Sequence, residues 1–178
     1  TALRRQIRAA APAPAEEPAA AETPAEEPAS SGTHIVVDFK GEETEAASGI
    51  RIDVRYTNMD GAAIDPASIR VSTDFYAIVT VSNKSGYERY ADLALTHIFP
   101  AGWEITSERD LSSLTYQDIR DDRVLSYFDL RKGESKEIPV KLTATYKGRY
   151  YLPSVYCEAM YDNAVRALKK GQWVEVVE

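Results

Sequence analysis

The stretch of this chain with the most potential for chemistry is YQDIRDDRVLSYFDL, residues Tyr116–Leu130. Its carboxylates Asp118, Asp121, Asp122 and Asp129 could ligate a divalent cation, or two of them could divide the acid and base roles of a hydrolysis. A calcium loop needs regularly spaced oxygen ligands and a glycine at its sharp turn, and neither is present. Arg120 and Arg123 are interleaved with the acids. Asp118, Arg120, Asp121, Asp122 and Arg123 therefore read as a structural charge cluster that pairs internally and caps a turn. The lone cysteine, Cys157, rules out an internal disulfide and leaves the redox compartment open. Between Val155 and Ala159 it reads as a small buried hydrophobe. A reactive thiol would need a histidine, and neither His34 nor His97 is near it in sequence, although proximity in the fold stays open. His97 shares a strand face with Leu95 and Phe99 and reads as a hydrogen-bonded histidine in or beside the core. HExxH, GxSxG and a phosphate-cradling glycine loop are all missing. No catalytic residue, metal or cofactor is assigned.

Alternation at period two fixes the elements that must position these residues. In IRIDVRY (Ile50–Tyr56), DFYAIVTVSN (Asp74–Asn83) and KEIPVKLTATY (Lys136–Tyr146), apolar side chains alternate with polar ones. LALTHIF (Leu93–Phe99), RVLSYFDL (Arg123–Leu130), RYYLP and QWVEVVE add further strands. Turn signals separate them: NMDG at Asn58–Gly61, Pro100–Gly102, RKGES and Lys147–Gly148. The expected fold is an all-β, antiparallel two-sheet sandwich of roughly seven to nine strands. Ile52, Val54, Phe75, Val79, Val81, Ile138, Val140, Leu142, Val155 and Cys157 should form its core. Pro139 cannot donate to a ladder, so its strand should be an edge or carry a bulge. Only NAVRALKK (Asn163–Lys170) suggests a turn or two of helix.

Residues 1–31 differ from the rest. A short basic start, TALRRQIR, is followed by a run from Ala9 to Ser31 of Ala, Pro, Glu, Thr and Ser alone. Five prolines and the lack of any large apolar side chain make this an extended acidic linker, with the folded domain at residues 32–178. Residues 33–48 carry no recognisable pattern. Over the whole chain 28 acidic residues face 21 basic ones, a formal net charge of -7. That balance disfavours nucleic acid and anionic lipid as partners. No run approaches the ~20 apolar residues of a membrane span, so the fragment itself should not insert into a membrane. No charged-then-apolar leader opens it, which would also hold for a domain cut from a longer precursor.

One stretch conflicts with simple burial. Read as a strand, Ser154–Tyr161 turns Val155, Cys157, Ala159 and Tyr161 inward and Ser154, Tyr156, Glu158 and Met160 outward. An outward Met beside a loop either fills a local gap or meets a partner. Of eleven tyrosines, Tyr146, Tyr150, Tyr151, Tyr156 and Tyr161 crowd the last third, as sheet packing or as rigid contact surface.

LALTHIFPAGWEI (Leu93–Ile105), YQDIRDDRVLSYFDL, GRYYLPSVYCEAMYDN (Gly148–Asn163) and WVEVV (Trp173–Val177) together resemble the C-terminal macroglobulin-like, receptor-binding-type domain of bacterial alpha-2-macroglobulins. RIDVRYTNMDGAAID (Arg51–Asp65) resembles its opening strand pair. The resemblance implies a fragment of a broad-spectrum protease trap in the periplasm or cell envelope, with a lipoprotein parent as one arrangement. In that family a bait region is cut, the molecule collapses, and the protease is caged. Many members link the captive through a thioester, in a Cys-x-x-Gln context within a separate helical domain. Cys157 reads CEAM and is not that cysteine. The implied partners are the thioester-type helical domain and neighbouring macroglobulin domains of the parent, and target proteases through the parent. Met160, Tyr161 and Tyr156 are the implied candidates for an interface that shields the thioester. A generic cell-surface sandwich module, or a hydrolase built on the Asp cluster, would be the competing readings.

Overall fold

The computed structural model describes residues 45–178. The linker at 1–31, His34 and residues 33–44 lie outside that range. The described residues form strands and turns with no helix. They comprise β1 (Ala46–Ser48), β2 (Arg51–Asn58), β3 (Ser68–Arg70), β4 (Thr73–Ser82) and β5 (Arg89–Ile98). Next come β6 (Trp103–Ile105), β7 (Tyr116–Ile119), β8 (Arg123–Arg131) and β9 (Ser135–Ala144). The chain closes with β10 (Gly148–Leu152), β11 (Val155–Ala159), β12 (Asp162–Lys169) and β13 (Gln172–Val177).

These pair into a six-stranded sheet β1-β12-β11-β5-β8-β7, a four-stranded sheet β2-β4-β9-β6 and a three-stranded sheet β10-β13-β3. All pairings are antiparallel except β13 with β3. The architecture is the all-β sandwich that the alternation predicts, but with thirteen strands rather than seven to nine. Two long runs are each split. Pro153 has no amide to donate and separates β10 from β11. Opposite it, Gly171 separates β12 from β13, where a Cβ would come within 2.4 Å of the Leu152 carbonyl oxygen. One long hairpin thus leaves the six-stranded sheet and continues in the three-stranded one. The excess over the expected count is the short strands β1, β3, β6 and β7, together with β12.

The four-stranded sheet packs against both ladders. Val79, Val81 and Ile138 meet Leu93, Leu95, Phe128, Leu130 and Cys157 of the six-stranded sheet in one cluster. Phe75, Val140 and Leu142 meet Ile69, Leu152, Val174 and Val176 of the three-stranded sheet in another. Of the ten expected core residues, Val54 is the exception and is only partly buried. It lies on β2, an edge of the four-stranded sheet. Pro139 sits on β9, between β4 and β6 by order. β6 reaches only Leu142–Ala144, so at Pro139 the strand pairs with β4 alone and is locally an edge.

NAVRALKK is a strand, not a helix. Val165 and Ala167 are buried on β12, which pairs with both β11 and β1. Ala, Arg, Leu and Lys favour a helix, but eight residues cannot nucleate one against two flanking ladders. β1 also places Ala46–Ser48, part of the stretch without recognisable pattern, at the edge of the six-stranded sheet.

Candidate functional site

The strand expected over Ser154–Tyr161 stops earlier, and this decides where its residues go. β11 ends at Ala159, Ala159 pairs with Asp162, and Met160 and Tyr161 form the two-residue turn between β11 and β12. Tyr161 therefore does not point inward. It is 85% exposed and Met160 45% exposed, side by side at the tip of the hairpin. Met160 fills no gap beneath a loop, since the residues after it are β12. Tyr156 does not join them. It lies on β11 between Thr96 and Leu168, and its ring is buried where the alternation placed it in water. Its hydroxyl bonds Glu158 Oε2 at 2.7 Å, and burial together with that carboxylate pushes the phenol pKa up.

Two-residue hairpins favour turns with left-handed residues, because those match the twist of the strands. Neither Met160 nor Tyr161 has a positive φ. The tip is also tied from outside the hairpin. The Met160 amide donates to the Asp92 carbonyl on β5 at 3.0 Å. Asp92 itself is left-handed, with φ of 53°. It lies in a bulge where the β5–β8 register slips between Tyr90 and Leu93. The Asp129 carboxylate on β8 accepts the Asp92 amide at 2.9 Å and is paired with Arg89. Those two bonds hold the Asp129 carboxyl below its ordinary pKa. Sequence reading assigned Asp129 to the acid cluster and missed this role. The available signal was phase: Tyr90 and Leu93 are three residues apart in a strand of period two.

The charge cluster lies at the other end of β8, on the turn from β7. Arg120 Nε bonds Asp118 Oδ2 at 2.9 Å, and Arg123 holds Asp122 through two nitrogens at 2.6 and 2.9 Å. The Arg120 amide closes the turn onto the Arg123 carbonyl, while Asp121 is exposed. The Arg123 hydrogen bond lowers the Asp122 pKa, the wrong direction for a general acid at neutral pH. Among the described residues no three His, Cys, Asp or Glu side chains converge as metal ligands. Asp122→Asn is expected to cost at most about 1 kcal/mol in urea unfolding, because both partners are well exposed. Added calcium should leave the melting temperature unchanged; a rise of several degrees would show a cation site on this turn.

The fold does bring Cys157 and His97 onto neighbouring strands. Cys157 pairs with Leu95 and Val155 with His97, so the two lie diagonally across β11 and β5. Both are fully buried, and neither His97 nitrogen has a hydrogen-bond partner among the described residues. Burial pushes the thiol pKa up, which opposes thiolate formation. His97 is in the core as expected, but it is not hydrogen-bonded as expected. Its ring packs on Phe99 at 4.1 Å.

Comparison with known proteins agrees with this architecture. The profile described as "Bacterial Alpha-2-macroglobulin MG10 domain" matches residues 49–163. An alpha-2-macroglobulin of Pasteurella multocida is 30% identical over 133 residues, covering 71% of this chain and 7% of the relative. An alpha-2-macroglobulin homolog of Yersinia pestis is 24% identical over 164 residues, covering 76% and 8%. The chain thus spans less than a tenth of the length of these relatives. Salmonella alpha-2-macroglobulin reacted with methylamine has a similar fold, with a TM-score of 0.69 at 20% identity over 76% of this chain and 10% of that one. Trypsin-activated alpha-2-macroglobulin from Escherichia coli gives 0.68 at 18% identity, over 76% and 11%. A profile match over most of the chain, carried on a sandwich with the same fold, establishes that this chain belongs to the bacterial alpha-2-macroglobulin family, through its MG10 domain.

Proposed function

We propose that this domain serves a broad-spectrum protease trap in the periplasm or cell envelope. In this reading it is a non-enzymatic scaffold domain whose hairpin tip shields a thioester in a neighbouring helical domain of the parent. The observation that carries the proposal is the exposed Met160–Tyr161 tip, a half-exposed apolar side chain presented beside an aromatic one that is almost fully exposed. Pressed against a thioester, a flexible Met excludes water and a Tyr ring adds a rigid wall. The relatives give the reading its setting: the Salmonella protein reacts with methylamine and the Escherichia coli protein is activated by trypsin. Those bulk properties belong to chains about ten times longer, so the trap itself would be a property of the intact parent.

The test is made in that parent. Tyr161→Gly and Met160→Ala are expected to raise methylamine uptake and thiol release during storage, each by tenfold or more if its side chain excludes water. That is the effect of about 1.4 kcal/mol of lost protection. Reactivity equal to that of the unaltered parent in both variants would remove the tip from the mechanism and leave a scaffold role only.

A further inference from the structure

The Met160–Tyr161 tip is the part of the molecule that the shielding reading depends on, and its turn carries no left-handed residue of its own. Two-residue turns without a left-handed residue splay their strands. Next to the turn the β11–β12 register shifts between Glu158 and Ala159, which leaves residues 163–165 of β12 without a partner on β11. Beyond the Ala159–Asp162 pair that closes the turn, the tip is tied to β5 by the bond from the Met160 amide to the Asp92 carbonyl. That carbonyl points correctly only while Asp92 keeps its left-handed φ, a conformation that L-residues adopt at a cost. Ala91 and Asp92 face the lone Asp129 across the bulge, and the Asp129 carboxylate takes the Asp92 amide. Arg89 holds the carboxylate from the other side.

We propose that Asp129 is a positioning residue for the hairpin tip: by fixing the Asp92 bulge it holds the Met160 amide, and so sets where Met160 and Tyr161 stand. This rests on the reading of the tip as a shield. A tip that wanders would leave the thioester open for part of the time, even with both side chains intact. Asp129 touches no reacting atom and acts only through Asp92. Glycine populates a left-handed φ without strain, so Asp92→Gly should replace the holding function of Asp129 with intrinsic preference.

Two measurements separate this proposal from the shielding reading. The first is amide hydrogen exchange on this chain. In Asp129→Ala, the Met160 amide should exchange about tenfold faster or more, while the core amides of Leu95 and Leu142 stay protected. Adding Asp92→Gly should return Met160 to near its original rate. Unchanged Met160 exchange in Asp129→Ala overturns the proposal, whatever the tip does. The second is methylamine uptake by the intact parent. Asp129→Ala should raise it several-fold, and Asp92→Gly in the same background should reverse most of that rise. If Tyr161→Gly raises uptake and Asp129→Ala does not, positioning by Asp129 is overturned and shielding survives. If no variant changes uptake, the shielding reading fails, and positioning of the tip by Asp129 is decided by the Met160 exchange rate alone.

Discussion

Lowering the pH from 7 to 4 is expected to cost the domain about 3 kcal/mol through His97 alone. The imidazole is completely buried between β8 and β11, and neither nitrogen has a hydrogen-bond partner among the described residues. Desolvation therefore disfavours the cation and lowers its pKa from 6.5 to about 3. Below pH 6.5 the unfolded chain takes up a proton at this residue and the folded chain does not. Stability is therefore fully present above 6.5 and is lost as the pH falls towards 3. Asp74, Asp110, Asp122 and Asp129 also have lowered pKa values, so their contribution too is lost in acid, but only as the pH falls through the carboxylate range. Between pH 6 and 5 the slope should belong to His97, approaching about 1.4 kcal/mol per pH unit. Urea unfolding of the native chain and His97→Leu at pH 7, 6, 5 and 4 reads this directly. The variant should match the native chain at pH 7 within about 1.5 kcal/mol, since the volumes are similar and no hydrogen bond is broken. It should then stay flat where the native curve falls. Parallel curves for the two proteins would show that His97 is hydrated or partnered in solution.

Phe75→Ala is expected to destabilise the domain by about 3–5 kcal/mol. Phe75 is fully buried near the start of β4, paired with Leu142 on one side and Asn58 on the other. Its ring meets Trp103 edge to face, with centroids 5.0 Å apart and planes at 81°. Ile69, Leu142, Leu152, Val174 and Val176 belong to the same cluster, and they come from β3, β9, β10 and β13, four strands of two sheets. A cavity there cannot collapse without moving both the four-stranded and three-stranded sheets, which puts the cost at the upper end for core truncations. With total stability of roughly 5–15 kcal/mol typical for a domain, such a loss brings unfolding within reach of mild denaturant. Phe75→Leu should cost less than about 1.5 kcal/mol, and Tyr116→Ala, on an exposed ring, within about 0.5 kcal/mol. Denaturant midpoints for the three variants check the order. A Phe75→Ala loss no larger than that of Tyr116→Ala would mean that this cluster is not the core that joins the sheets.

Alternation alone determined that the chain is a β-sandwich and which side chains fill it. Side-chain direction in a strand has period two for local steric reasons, so Phe75, Val79, Val81, Ile138, Val140 and Leu142 declared their face without knowledge of any partner. The interleaving of Arg120 and Arg123 with Asp118 and Asp122 was equally legible, because those pairs lie one or two residues apart. Everything that depended on which strand lies beside which was decided by the tertiary structure. NAVRALKK has helical composition and became β12 because β11 and β1 offered it two ladders. Tyr156 sits on the polar face of its strand, and only the assembled sheet showed that face to be covered there. Met160 and Tyr161 left the alternation because the chain reverses after Ala159, at a place marked by no turn residue of its own. A bond that ties the reversal to β5 comes from Asp92, 68 residues away in the chain, and the carboxylate that accepts the Asp92 amide comes from a third strand. His97 looked like a histidine that would find a hydrogen bond. Its isolation is a property of Val124 and Val155, the apolar neighbours that the register sets on either side of it, and a sequence of local preferences carries no record of register between distant strands.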